Sequence, residues 1–182
     1  MAGYLGRDDG APIYVIPWSA LTPTVAMDIA SALAPATGQF KVMRPRRLVI
    51  TNPGSQTGAA LVTLQLGYAG AALGSGGTGI SNLRPLDGAG SDPDFVAGAG
   101  GSARVGDTTP AAGFVELYKF GIWVPAAGGA VQPIIIPFGE GKAKAPSFSQ
   151  AFAAAKAMVL KHPGAAGAAG FSGFLEFTAD PE

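Results

Sequence analysis

The chain has no cysteine and a single histidine in 182 residues, and only 13% of it is charged. Without cysteine there are no disulfides, no thiolate metal ligands and no cysteine nucleophile. One histidine removes most zinc sites and any relay built on paired imidazoles. The low charge argues against a solvated disordered chain and against a coiled coil. The 12 Lys and Arg balance the 12 Asp and Glu, so the net charge is zero. No global field favours nucleic acid or anionic lipid, and nucleic acid is not expected as a partner. Copies of the chain also repel one another little. Long apolar runs are missing too. The most apolar window, Ile122 to Phe138, is broken by Pro125, Gly128, Gly129, Gln132, Pro133 and Pro137. A membrane helix needs about 20 apolar residues without such breaks, so a soluble chain with no membrane contact is expected. The first ten residues, MAGYLGRDDG, lack the basic stretch and apolar core of a secretory signal.

Small and rigid residues are what the chain has in excess. Its 28 Gly, 15 Pro and 34 Ala make up 77 positions. No period-three glycine repeat is present, which excludes collagen. The length fits one domain, residues 1–182, and suffices to bury a core.

Between the small residues lie short apolar segments with a period of two. In Ala60–Tyr68, Val62, Leu64, Leu66 and Tyr68 face one way, and Leu61, Thr63 and Gln65 the other, the pattern of a half-buried strand. Leu48–Thr51 precedes it and stops at the turn signal Asn52-Pro53-Gly54, so the two read as hydrogen-bonded antiparallel neighbours. Phe40–Met43 breaks at Pro45 and is either a separate short strand or a bent continuation. Gly113–Val124 is partly apolar on both faces and reads as a central strand with a bulge near Gly121. Val131–Ile136, bracketed by Pro133 and Pro137, reads as a strand at an edge or a bulge. Phe171–Thr178 and Ile13–Trp18 complete the clear set. Thr24–Leu33 fits either a helical or a strand period. So does Ser149–His162, where the surrounding strands favour a strand.

Residues 70–112, rich in Gly, Ala, Ser and Asp, are expected to form one long loop excursion, with a short hairpin or helical turn at most. Eight strand candidates and no sustained helix–strand alternation predict an all-β fold. The expected form is an antiparallel sandwich of the jelly-roll kind carrying that excursion.

No catalytic, cofactor or metal site emerges. His162 has no GxSxG partner motif and reads as a surface or strand-end residue. Asp87, Asp92, Asp94 and Asp107 lack the twelve-residue calcium-loop spacing and read as turn residues. The run from Gly74 to Gly79 lacks the Lys and helix of a phosphate loop. Glu116 and Glu176 read as exposed strand carboxylates rather than as a glycosidase pair. Lys41, Arg44, Arg46 and Arg47 form the densest basic cluster, suited to local ion pairs or a subunit contact. Trp18, Trp123, Tyr14 and Tyr118 suit core or interface packing better than a sugar platform. The residues expected at interfaces are Arg44, Arg46, Arg47, Leu83, Leu86, Phe95 and Trp123.

Three stretches taken together carry a resemblance. One is RPRRLVITNPGSQTGAALVTLQLGY, where a strand ends in Thr-Asn and a polar turn leads to a strictly alternating strand. The second is IIIPFGEG, an apolar strand closing in Pro-Phe-Gly, and the third is GFSGFLEF. This combination resembles the β-sandwich accessory proteins of tailed-phage virions, of the capsid decoration or cement type. The resemblance implies a structural subunit rather than an enzyme, with no cofactor, forming a homo-oligomer, with a trimer favoured. It would be assembled in the host cytoplasm onto a virion, against the major capsid protein or another virion subunit. It transfers no functional residue. The alternative is a carbohydrate-binding or adhesin-like sandwich module that uses the long loop and the aromatics.

Overall fold

The structure, a computed structural model, describes residues 13–34, 40–52, 60–70, 72–80, 83, 86, 102–124, 132–138, 148–149, 156–164 and 170–181. It is all-β. Eleven strands run β1 (Ile13–Leu21), β2 (Met27–Leu33), β3 (Phe40–Asn52), β4 (Ala60–Ala69), β5 (Thr78–Ile80), β6 (Ser102–Asp107), β7 (Val115–Val124), β8 (Ile134–Pro137), β9 (Phe148–Ser149), β10 (Ala157–His162) and β11 (Phe171–Pro181). They form two antiparallel sheets. One has the order β1-β11-β3-β8 with β9 also on β3, and the other the order β5-β6-β2-β10-β4-β7.

The pairings define the roll. β1 pairs β11, β2 pairs β10, β3 pairs β8 and β4 pairs β7. This is a long antiparallel hairpin wound on itself, so that its paired arms fall alternately in one sheet and the other, as in a jelly roll. β5 and β6 extend the second sheet beyond β2.

The inner faces of the sheets interlock in one core. Ile16, Ile29, Leu48, Ile50, Leu64, Leu66, Met158, Leu160, Leu175 and Phe177 belong to it, and Tyr14 stacks on Phe177 with ring centroids 5.3 Å apart. The alternation read in β4 holds: Val62, Leu64 and Leu66 are buried, while Leu61 is exposed. The ambiguous segments resolve as strands. β2 is buried along its whole length, and β10 lies between β2 and β4 at the centre of its sheet. Each is buried on both faces, which erases the alternation that marks a half-buried strand. The alanines at 151–155 lie outside the described residues.

Two expectations are corrected and two open readings are decided. The segments on either side of Asn52–Gly58 do not pair, since β3 and β4 belong to different sheets. Alternation reveals which face of a strand is buried, not which strand lies beside it. Of the two readings of Phe40–Met43 the continuation holds: it and Leu48–Thr51 form the one strand β3, which tolerates Pro45 at an irregularity, where Glu176 faces Arg47 and Phe177 faces Pro45, leaving Arg46 unmatched. Among the described strands β7 lies at the edge of its sheet and not at its centre. Residues 70–112 carry an antiparallel pair within the excursion, β5 and β6, as the hairpin reading allowed.

The described parts of that segment also fold back on their own sheet. Leu73, Ala111 and Phe114 pack with Leu33, Ala69, Ala157 and Val159 in a second apolar cluster. Gly70 N–H donates to the carbonyl of Ala112 at 3.2 Å, and Ser75 and Thr109 exchange backbone hydrogen bonds at 2.9 Å.

Candidate functional site

The interface residues expected from the sequence fall in different places. Leu83 is 3% exposed and belongs to the core, a correction to its expected surface role. Phe95 lies outside the described residues. Arg44 is exposed. Arg46 and Arg47 are half-buried and converge on Glu176, with Arg47 Nε donating to Oε2 at 2.8 Å and Arg46 Nε 3.6 Å from Oε1. Their local ion pairing is the reading that holds. Glu176 is buried, not exposed as expected, because Arg47 stands directly opposite it across the β3–β11 ladder. Leu86 and Trp123 are exposed, as a contact role requires.

Two features deserve to be built up from their residues. The first is a buried polar cluster at β2, β6 and β10. Asp28 faces Asp107 on one side and Lys161 on the other. Asp107 is held by Arg104 Nε at 2.9 Å and by the Gly77 N–H at 3.1 Å. Asp28 Oδ2 accepts from the Ala111 N–H at 2.7 Å, while its Oδ1 is buried without a partner. Burial pushes the Asp28 carboxyl above its usual 3.8; the Ala111 N–H and the nearby Lys161 pull it down less strongly, and Asp107 adds to the rise. His162 takes the strand-end position expected of it, at the end of β10, and is buried there. Its Nδ1 accepts from the Gly164 N–H at 3.2 Å, and burial lowers its pKa below 6.5. Among the described residues, no group of three His, Cys, Asp or Glu is placed to hold a metal ion. Gly74 and Ala111 are pinned by this cluster: Ala111 N–H donates to Asp28, and a Cβ on Gly74 would fall 2.9 Å from Asp107 Cβ and 3.0 Å from Asp28 Oδ2. The cluster therefore fastens the fold-back to the sheet.

The second feature is the outward surface of β4 and β7. Leu61 and Trp123 stand directly opposite each other on the two strands and are 59% and 63% exposed. Leu61 also lies over Gly121, where a Cβ would meet its Cδ1 at 3.0 Å. Farther along β7, Val115, Leu117 and Tyr118 are exposed. Tyr118 stacks on Phe120 and tilts against Phe138, a ring cluster that anchors β7 to the end of β8. Glu116 and Lys119 are the exposed charges of this strand, and Gln65 Nε2 donates to Glu116 Oε2. Glu116 and Glu176 lie in different sheets and form no carboxylate pair.

Sequence reasoning found Trp123 but passed over Leu61. Its signal was present, since Leu61 is the apolar residue on the otherwise polar side of β4. The polar cluster was missed as well, although Asp28 within the apolar run Met27–Ile29 marked it. Searches against family models, curated proteins and solved structures find no match to this chain.

Proposed function

We propose that this chain is a non-enzymatic structural subunit of a virion, of the capsid decoration or cement kind, that acts by packing on a particle surface. The observation that carries this reading is the exposed apolar surface of β4 and β7, centred on Leu61 and Trp123. Exposed apolar side chains that stand together are costly in water and mark surfaces that meet other molecules, and Leu61 and Trp123 stand directly opposite each other. The jelly roll is a fold that viral capsid domains use, although a fold by itself does not assign a role. The sequence resemblance to tailed-phage accessory proteins supports the same reading. Its partners would be like subunits, a trimer by that resemblance, and the major capsid protein or another virion subunit. Zero net charge suits such close packing.

The test is the mass of the purified chain by light scattering, followed by electron microscopy of native assemblies. Density for the chain on a particle supports the reading. A monodisperse monomer with no affinity for any particle overturns it.

The exposed Trp123 indole supports a second reading, a carbohydrate-binding module, since lectin domains share the jelly roll and stack sugars on flat rings. Glycan-array binding that is lost in Trp123→Ala would favour it over the first.

A further inference from the structure

The outer strands are β1, β8 and the two-residue β9 in one sheet and β5 and β7 in the other, and the chain treats these edges differently. β1 carries Pro17 and has an irregular register between Trp18 and Leu21, with Ala20 at a positive φ of 49°. β8 has four residues and ends in Pro137, and β5 has three residues. Short strands, prolines and irregularities are the usual means of keeping an edge from pairing with another chain. β7 is ten residues long, contains no proline, and among the described strands pairs only with β4. Its irregularity lies near one end, where Leu117 is unmatched between the partners of Leu66 and Gly67. From Tyr118 to Val124 the register on β4 is continuous.

We infer that this regular stretch of β7 is a self-pairing edge, which joins a second copy of the chain by an antiparallel β-ladder about a two-fold axis at Gly121. The pairing with β4 places Lys119, Gly121 and Trp123 on the outward face, opposite Gln65, Thr63 and Leu61. A two-fold at Gly121 then sets Lys119 of each copy opposite Trp123 of the other, and Phe120 opposite Ile122. The ammonium–indole pairing is favourable in itself. It occurs twice, because a two-fold contact uses the same patch on both partners. Gly121 has no side chain to hold the copies apart, and Leu61 already leans over it. The Leu61 and Trp123 side chains of both copies thus close over the paired glycines and leave water together. With zero net charge, no long-range repulsion opposes the approach.

This contact uses the Leu61–Trp123 surface on which the virion reading also rests, but it needs no particle to form. A two-fold dimer also differs from the trimer that the resemblance implies, so the mass of the free chain separates them.

The test is sedimentation velocity over a wide concentration range on the wild type, Gly121→Lys, Trp123→Lys and Trp123→Glu. The circular dichroism and unfolding midpoint of each variant are recorded alongside. The wild type is expected to form dimers. Gly121→Lys puts two cations at the axis, and Trp123→Lys sets a lysine against Lys119; each is expected to weaken the dimer about tenfold or more with the fold intact. Trp123→Glu meets Lys119 with the opposite charge and is expected to dimerise more tightly than Trp123→Lys. A wild type that stays monomeric, or that forms trimers alone, overturns the inference. So does a dimer indifferent to both lysine variants, which would mean another face or an unrelated contact. Equal dissociation of Trp123→Glu and Trp123→Lys would overturn the register. Should Gly121→Lys fail to fold, the two Trp123 variants still decide the outcome.

Discussion

Asp28 on β2 stands directly opposite Asp107 on β6, and both side chains are buried. Two carboxylates in that relation are tolerated because their surroundings differ. Asp107 is neutralised by Arg104, whereas Asp28 has one oxygen on the Ala111 N–H and the other without a partner. The charge on Asp28 is thus the more costly of the two, and its raised pKa expresses that cost.

A raised folded-state pKa gives a definite sign. Asp28 favours the fold fully below the unfolded value of 3.8, and that contribution is lost as pH rises through the higher folded value. Asp28→Asn keeps an acceptor for Ala111 and removes the charge. It is expected to stabilise the protein at neutral pH by about 1 kcal/mol, with the gain disappearing in acid. Urea unfolding at a series of pH values checks this; a variant less stable than the wild type at neutral pH would refute it.

His162 has the opposite sign. Burial lowers its pKa, so its contribution is present above the unfolded value of 6.5 and is lost as pH falls through the folded value. His162→Asn keeps an acceptor near Nδ1 for the Gly164 N–H and cannot take up a proton. The loss of stability on acidification below 6.5 is expected to be shallower in the variant. The same urea series reads this as a smaller slope, and an unchanged slope would refute it.

Glu176 collects both Arg46 and Arg47, and it is the buried member of the group. Glu176→Ala leaves two guanidinium groups side by side without their shared anion. Because the arginines are partly exposed and can rehydrate, the expected cost is about 2 kcal/mol, below that of breaking a fully buried pair. Arg47→Ala is expected to cost less, since Arg46 remains beside the carboxylate. The midpoints and slopes of denaturant curves for the two variants give the ranking.

Gly67 on β4 lies beneath the Phe114 ring. A Cβ there would fall 2.9 Å from Phe114 Cε2 and would collide with the carbonyl oxygen of Val115. Gly67→Ala is expected to destabilise by about 1–3 kcal/mol through overpacking and to loosen the 111–114 turn. Faster amide exchange around Ala112 and Gly113 would accompany the loss. Wild-type stability in this variant would contradict the packing described.

The class of fold was legible because strand alternation is local. Val62, Leu64 and Leu66 announce a buried face without reference to any other segment. Partner choice is not local, and it is where reading failed: Leu48–Ile50 pair with β8 and β11 rather than with the nearby β4. Nor could the burial of Glu176 be read, because Arg47 becomes its neighbour only through the β3–β11 register. Leu83 looked like a loop residue available for contact because its neighbours are small and polar, yet the fold-back carries it into the core. Trp123 was recognisable as a contact residue. Its companion Leu61 was legible as the apolar residue on the polar side of β4, but that it stands opposite Trp123 was not, because that depends on the β4–β7 register.

Hydrogen–deuterium exchange along β7 at low and high protein concentration tests most directly whether β7 is the working surface. Amides of Tyr118–Val124 that point away from β4 should exchange quickly in dilute protein and slow markedly as concentration rises, while those of β1 stay unchanged. If the β7 amides exchange at the same rate at every concentration while the protein associates, the contact lies elsewhere and the assignment of this edge is wrong.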